Sequence, residues 1–152
     1  MYRHICPPAR VNEGILLGTL EHVSAMIDIS DGLGKEVHEI AAASNVGIML
    51  EGDLIPIAPS ATVVATCMSK DPADYALWGG EDYELLFTVS PGRHQEIMEV
   101  LPKRYGTKVS VIGRVVPPEE GVTIRKEGER LPLPNWGYDH FSKSWRGALY
   151  GD

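Results

Sequence analysis

Between Ser24 and Gly47 the sequence changes its hydrophobic period once, and that change constrains the fold more than any other feature. "SAMIDIS" is a short, largely apolar run suited to a buried strand. In the following "DGLGKEVHEIAAASNVG", Leu33, Val37, Ile40, Ala41 and Ser44 recur at helical spacing, and Asn45 and Gly47 supply the stop. The pattern predicts strand, acidic turn, helix. Asp28 then falls near the C-terminal end of the strand and Asp31 in the first turn of the helix, so both carboxylates can point into the space above the strand end. In open α/β sheets that crevice is the usual ligand site.

The remaining elements follow from the same periodicities. "NEGILLGTLEHV" places Ile15, Leu16, Leu20 and Val23 close to one face of a helix weakened by two glycines, with Asn12 as its expected N-cap and Glu13 in the first turn. "VGIMLEGDLIPI" reads as a second strand that ends in a proline-bounded loop. "SATVVATCMSKDPADYAL" reads as two helical pieces broken at Asp71-Pro72. The double glycine of "WGGEDYELLFTVSPG" leads into a β-rich run that stops at Pro91-Gly92. His94, Ile97, Met98, Leu101 and Tyr105 line a further helix that Pro102 is expected to shorten. "KVSVIGRVV" and "GVTIRKEGERLPL" read as two strands joined by a Pro117–Gly121 turn, with antiparallel pairing open to them. Strands and helices interleave without regular βαβ repeats. The expected class is therefore α+β or layered α/β, a mixed β-sheet flanked by helices.

Composition narrows the function. The 152 residues fit one domain, and 43% hydrophobic with 23% charged residues is ordinary for a chain that folds. The 14 Lys and Arg face 21 Asp and Glu, a formal net charge of −7 with no basic run, which argues against an extended nucleic-acid footprint. A phosphate ligand would meet an acidic surface and call for a metal. Cys6 and Cys67 stand far apart without a ligand-spaced histidine, which fits neither a zinc site nor a disulfide framework and suits a reducing, cytoplasmic setting. No apolar run approaches the roughly 18 residues of a membrane span.

Three stretches could carry chemistry, and each has an ordinary structural alternative. At "DISDG", backbone N–H groups at the helix start can meet phosphate oxygens, and Ser30 adds a hydroxyl. Gly32 lets the chain pass close to a bulky anion, and Asp28 and Asp31 suit Mg²⁺ shared with phosphates. Equally, Ser30 or Asp31 can simply cap the helix. In "GGED", the glycines can bring substrate close to the backbone while Glu81 accepts its hydrogen bonds, or the four residues can be a tight solvated turn. Glu84 belongs with the strand in an outward, structural position. Trp136, Tyr138, His140 and Phe141 can stack on a flat heterocycle or pin a terminal segment to the core. The scattered histidines and the absence of a G-x-S-x-G serine leave no hydrolase triad.

The strings "AMIDISDGL" at 25–33, "ALWGGEDYELLFTV" at 76–89 and "GYDHF" at 137–141 resemble thiamine-monophosphate kinase. More broadly they resemble the C-terminal domain shared with aminoimidazole ribonucleotide synthetase, selenophosphate synthetase and a hydrogenase-maturation protein. The likeness runs from about Pro8 to Phe141, and the second and third strings are the more specific to the thiamine-phosphate enzyme. It implies transfer of the γ-phosphoryl of ATP to thiamine monophosphate, with Mg²⁺ as cofactor. On the matching positions, it implies Asp28 and Asp31 as Mg²⁺ ligands, Ser30 as a contact to the ATP phosphates, Glu81 as a hydrogen-bonding partner of the thiamine portion, and Tyr138 as its stacking partner.

Family members carry an N-terminal domain that supplies most Mg²⁺ carboxylates and much of the ATP site. The resemblance therefore implies that residues 1–12 are an interdomain linker remnant and 13–152 a C-terminal domain, inactive alone, whose partner is that N-terminal domain. Two other readings stay open: a related selenophosphate or purine-type synthetase domain, and a stand-alone, non-catalytic module that binds nucleotide or a partner.

Overall fold

The structure, a computed structural model, describes residues 5–136. Among the described residues, six strands and five α-helices follow one another in the order α1 (Val11–Gly18), β1 (Val23–Asp28), α2 (Leu33–Ser44), β2 (Gly47–Glu51), α3 (Pro59–Cys67), α4 (Pro72–Trp78), β3 (Leu85–Val89), α5 (His94–Tyr105), β4 (Gly113–Val116), β5 (Val122–Lys126) and β6 (Glu129–Pro132). They form two sheets. β1 and β3 pair antiparallel, with Asp28 opposite Leu85. The other sheet runs β4-β2-β5-β6 and is mixed, because β2 pairs antiparallel with β4 but parallel with β5. The expected layered α/β class with a mixed sheet is the one observed.

Helix α2 lies between the sheets. Leu33, Val37, Ile40 and Ala41 on its apolar stripe are buried with Ile48 and Leu50 of β2, Ile124 of β5 and Leu77 of α4, while Ala25 and Ile27 of β1 close the other side. A second cluster joins Leu17 of α1 to Ile97 and Leu101 of α5, against Leu85, Phe87 and Val89 of β3. The thin β1–β3 pair is thus covered by α2 on one face and, along β3, by α1 and α5 on the other, while Ser24, Met26 and Asp28 leave the β1 side of that second face open. Helix α2 ends where expected: Asn45 takes the left-handed conformation (φ 51°), and Val46 N–H returns to the carbonyl of Ala41 at 3.0 Å.

Four local expectations need correction. Helix α1 begins at Val11 with Arg10, not Asn12, in the capping position. The side chain of Arg10 makes no cap and is committed to ion pairs with Glu13 and Glu84. Asp31 precedes α2, which opens at Leu33 behind Gly32. Pro102 lies inside α5 without ending it, because burial of Ile97 and Leu101 outweighs one lost hydrogen bond, and Gly106 (φ 68°) closes the helix. The last two predicted strands are three. "GVTIRKEGERLPL" folds into the β5–β6 hairpin, and β4 and β5 flank β2 rather than each other.

Candidate functional site at the acidic turn

The turn after β1 and the loop before β3 are laced together by backbone. Ile29 N–H donates to the carbonyl of Glu84 at 2.8 Å, Tyr83 N–H to Ile29 at 2.8 Å, and Glu81 N–H to Ser30 at 2.8 Å. Antiparallel pairing of β1 with β3 thus continues beyond Asp28, and it carries "GGEDYE" across "DISD". The two motifs that stood about fifty residues apart in the sequence occupy one place.

Two glycines permit this approach. Gly32 has φ 107°, and a Cβ there would stand 2.9 Å from the carbonyl oxygen of Leu77 at the end of α4. A Cβ at Gly80 would stand 2.7 Å from the carbonyl oxygen of Ser30. Both are closer than side-chain carbons approach backbone, so the positions demand glycine. Within the loop, Glu81 (φ 67°) and Tyr83 (φ 50°) take left-handed conformations that cost non-glycine residues about 1 kcal/mol each. The hydrogen bonds to Ile29 and Ser30 over-determine them, and strain held in this way concentrates at functional sites.

The side chains divide by exposure. Asp28 is exposed at the end of its strand, sharing the open face of β1 with Met26. Glu81 is exposed on the loop, while Ser30 and Asp31 are half-buried. Lys35, one turn into α2, places its Nζ 2.5 Å from Asp31 Oδ2. No side chain caps α2. The capping alternative for Ser30 and Asp31 therefore falls away, and the amide of Asp31, just ahead of the helix, is not free for phosphate. Glu36, only 4% exposed, reaches back so that its Oε1 accepts the Asp31 N–H at 3.2 Å and faces the Ser30 hydroxyl at 3.5 Å. Sequence reasoning passed over Glu36, although a signal was there: it sits three residues after Leu33 and four before Ile40, a carboxylate on an apolar stripe.

A second charged group sits behind the loop. Arg10 grips Glu84 with both arms of its guanidinium, Nε to Oε2 at 2.9 Å and Nη2 to Oε1 at 2.8 Å, while Nη1 meets Glu13 Oε1 at 3.2 Å. Thr107 donates its hydroxyl to the same Glu13 oxygen at 2.6 Å. Hydrogen bonding to Glu84 pushes the Arg10 guanidinium above its already high range. Burial pushes the Glu13 carboxyl up, but hydrogen bonds from Thr107, its own backbone and Arg10 outweigh that and hold it below the usual carboxylate range. Glu84 is structural as expected, but it lies one residue before β3, which opens at Leu85, and is half-buried against Arg10 rather than turned outward. Arg10 as its partner was not anticipated, since the two lie 74 residues apart.

As a cation site the turn is partial. Among the described residues no group of three or more His, Cys, Asp and Glu side chains could hold a metal. Asp28 and Asp31 offer hard oxygen donors of the kind that bind Mg²⁺ together with phosphates, not as an all-protein cage. Trp136 lies against Trp78, their ring centroids 5.4 Å apart and tilted by 53°, so the chain leaves β6 beside the start of the glycine loop. Tyr138, His140 and Phe141 lie outside the described residues.

A helix wedged between a two-stranded and a four-stranded mixed sheet, with an acidic turn laced to a glycine loop at one end, defines an α/β domain of the synthetase-related class. The chain belongs to the family described as AIR synthase related protein, C-terminal domain, which it matches over residues 5–126. It is 38% identical over 138 residues to thiamine-monophosphate kinase of Pyrococcus horikoshii, an alignment covering 88% of this chain and 38% of that protein. It is 34% identical over 140 residues to the Escherichia coli K12 enzyme of the same name, covering 92% and 42%. Among solved structures it resembles AaThiL complexed with AMPPCP and TMP, with a TM-score of 0.69 and 30% identity, covering 91% of this chain and 40% of that one. HypE of E. coli, a hydrogenase maturation protein, matches with a TM-score of 0.69 and 25% identity over 82% of this chain and 40% of its own. The chain thus spans about two fifths of the length of the relatives it matches.

Proposed function

We propose that the chain is the C-terminal part of an ATP-dependent kinase that converts thiamine monophosphate to thiamine diphosphate. The observation that supports the reading is the lacing of the 28–31 turn to the 79–84 loop, which sets the residues we assign to phosphate and cation beside the loop we assign to substrate. Relatives named thiamine-monophosphate kinase, and AaThiL in complex with AMPPCP and TMP, support the same substrates. The HypE likeness favours a second reading, a related synthetase chemistry on the same scaffold, because fold alone does not select a substrate.

In the reaction, the bond between the γ-phosphorus of ATP and its bridging oxygen breaks as an oxygen of thiamine monophosphate bonds to that phosphorus, leaving ADP. Such transfer rests on positioning and charge neutralisation rather than a covalent nucleophile. Asp28 and Asp31 would hold Mg²⁺, which when bound neutralises phosphate charge. Lys35 balances Asp31. The Ser30 hydroxyl would meet the nucleotide phosphates, the Glu81 carboxylate would accept hydrogen bonds from the thiamine portion, and Tyr138 would stack on it. The relatives are longer, so the proposal includes an N-terminal domain that completes the site, a cytoplasmic setting, and no activity from these 152 residues by themselves.

The test joins the chain behind the N-terminal portion of the P. horikoshii relative and measures thiamine diphosphate formation. Glu81→Ala is expected to raise KM for thiamine monophosphate about tenfold or more, as expected for losing a hydrogen bond to a charged group, with kcat less affected. Asp28→Ala is expected to lower kcat in a metal-dependent way. Loss of nucleotide affinity alone in both variants would overturn the division of roles.

A further inference from the structure

Glu36 has no part in the proposed chemistry, yet it is placed against it. Its carboxylate is buried on the apolar stripe of α2, where an aliphatic side chain would pack without the cost of dehydrating a charge. Its partners are the Asp31 N–H and the Ser30 hydroxyl, and as an acidic residue in the first turn it also lies at the favourable end of the helix dipole. The Ser30–Asp31 peptide is consequently held from two sides: Glu36 takes its N–H, and its carbonyl oxygen takes the N–H of Glu81. A peptide fixed at both its polar atoms cannot rotate, and the two side chains it carries are those assigned to phosphate and cation.

We infer that Glu36 is a positioning residue: it acts through the Ser30–Asp31 peptide to fix the direction in which Ser30 and Asp31 meet phosphate and cation, without touching either. The inference rests on the proposed phosphate-and-cation role of the turn. It also specifies that the Asp31 N–H is taken by Glu36, so ligand recognition by Asp31 passes through its carboxylate. Gln at position 36 keeps an acceptor oxygen of the same reach, whereas Ala removes it.

The test uses the isotope-labelled 152-residue chain, with amide hydrogen exchange as one readout and line broadening by Mn²⁺ plus ATP as the other. Glu36→Ala is expected to speed exchange at Asp31 about tenfold or more beyond any change at Ile40, which reports opening of α2 as a whole. The same variant is expected to lose the broadening of resonances around the turn. Glu36→Gln restores both. Asp31→Ala retains slow exchange at position 31, since the backbone N–H remains, but loses the broadening. Equal acceleration at Asp31 and Ile40 in Glu36→Ala overturns the inference, as does broadening unchanged from wild type. Absence of broadening in the wild type overturns the claim that the turn meets cation and phosphate without the N-terminal domain, and exchange at Asp31 then decides separately whether Glu36 holds the peptide.

Discussion

The backbone N–H of Glu81 donates to the carbonyl oxygen of Ser30 across 2.8 Å, directly beside Gly80, whose missing side chain makes that distance attainable. The contact joins the two motifs, and its geometry can be challenged one methyl group at a time. Gly80→Ala would put a Cβ 2.7 Å from the Ser30 oxygen. Overpacking of this kind is expected to cost about 1–3 kcal/mol in urea denaturation. Amide exchange should accelerate at Glu81 and Tyr83 but not at Leu50. A variant as stable as wild type, with both amides still protected, would show that the loop does not depend on this approach.

The Arg10–Glu84 pair ties the segment ahead of α1 to the root of the same loop. Glu84 is partly open to water, which weakens the pair, but Arg10 is well covered and its contact is bidentate. Arg10→Met is expected to destabilise by about 1–2 kcal/mol, and Arg10→Lys to recover little, because a point charge cannot match a forked donor. A double-mutant cycle with Glu84→Gln measures the coupling directly. Additive effects of the two substitutions would mean the contact contributes nothing to stability.

Glu13 makes stability depend on pH in a defined direction. Its carboxyl is held below the usual range in the folded chain, so the folded state favours the ionised form. The stabilisation is complete above the unfolded pKa of about 4.3 and is lost as pH falls through the lower folded value. Glu13→Gln should therefore be less stable than wild type at neutral pH. The difference should shrink as denaturation is repeated at successively lower pH below about 4. A gap that stayed constant down to acid pH would contradict the assignment.

The β5–β6 hairpin turns through Glu127 (φ 50°) and Gly128 (φ 84°), two consecutive residues at positive φ, the signature of a two-residue hairpin turn. Glycine suits the second position and glutamate does not suit the first. Glu127→Asn or Glu127→Gly is expected to raise stability by about 0.5–1 kcal/mol, and Gly128→Ala to lower it by about 1 kcal/mol. Thermal unfolding measures both signs. A drop in midpoint for Glu127→Gly would refute the strain argument.

What could be read from the sequence was what neighbouring residues decide among themselves. The strand, turn and helix from Val23 to Ser44 emerge from one change of period, and the break at Asp71-Pro72 from proline chemistry, with Asp71 accepting the Ala73 N–H at 2.9 Å as its cap. Relations between distant residues were not legible. Nothing in the spacing pairs Arg10 with Glu84, or gives β2 two neighbours that both lie more than sixty residues later. The β5–β6 turn went unread because Glu-Gly is a weak turn signal beside Asn-Gly. Glu36 was missed because periodicity marks apolar positions and passes over a charge that shares their face. The site shows the same division: the sequence holds both motifs, and the hydrogen bonds from Ile29 to Glu84 bring them together.

The placement of β2 has a further consequence, in the order of events. Every strand it pairs with follows Ile112 in the chain, so as the polypeptide is synthesised β2 emerges long before its sheet partners, while the apolar stripe of α2 has only β1 and then α4 to cover it. The parallel Leu50–Ile124 register closes a long loop, a step that slows folding, whereas the β5–β6 hairpin is local and forms early. The expected sequence is a hairpin that adds to β2 as a preformed unit, with β2 and its edge partner β4 the last parts of the four-stranded sheet to gain protection and β2 the one most exposed to misassociation before then.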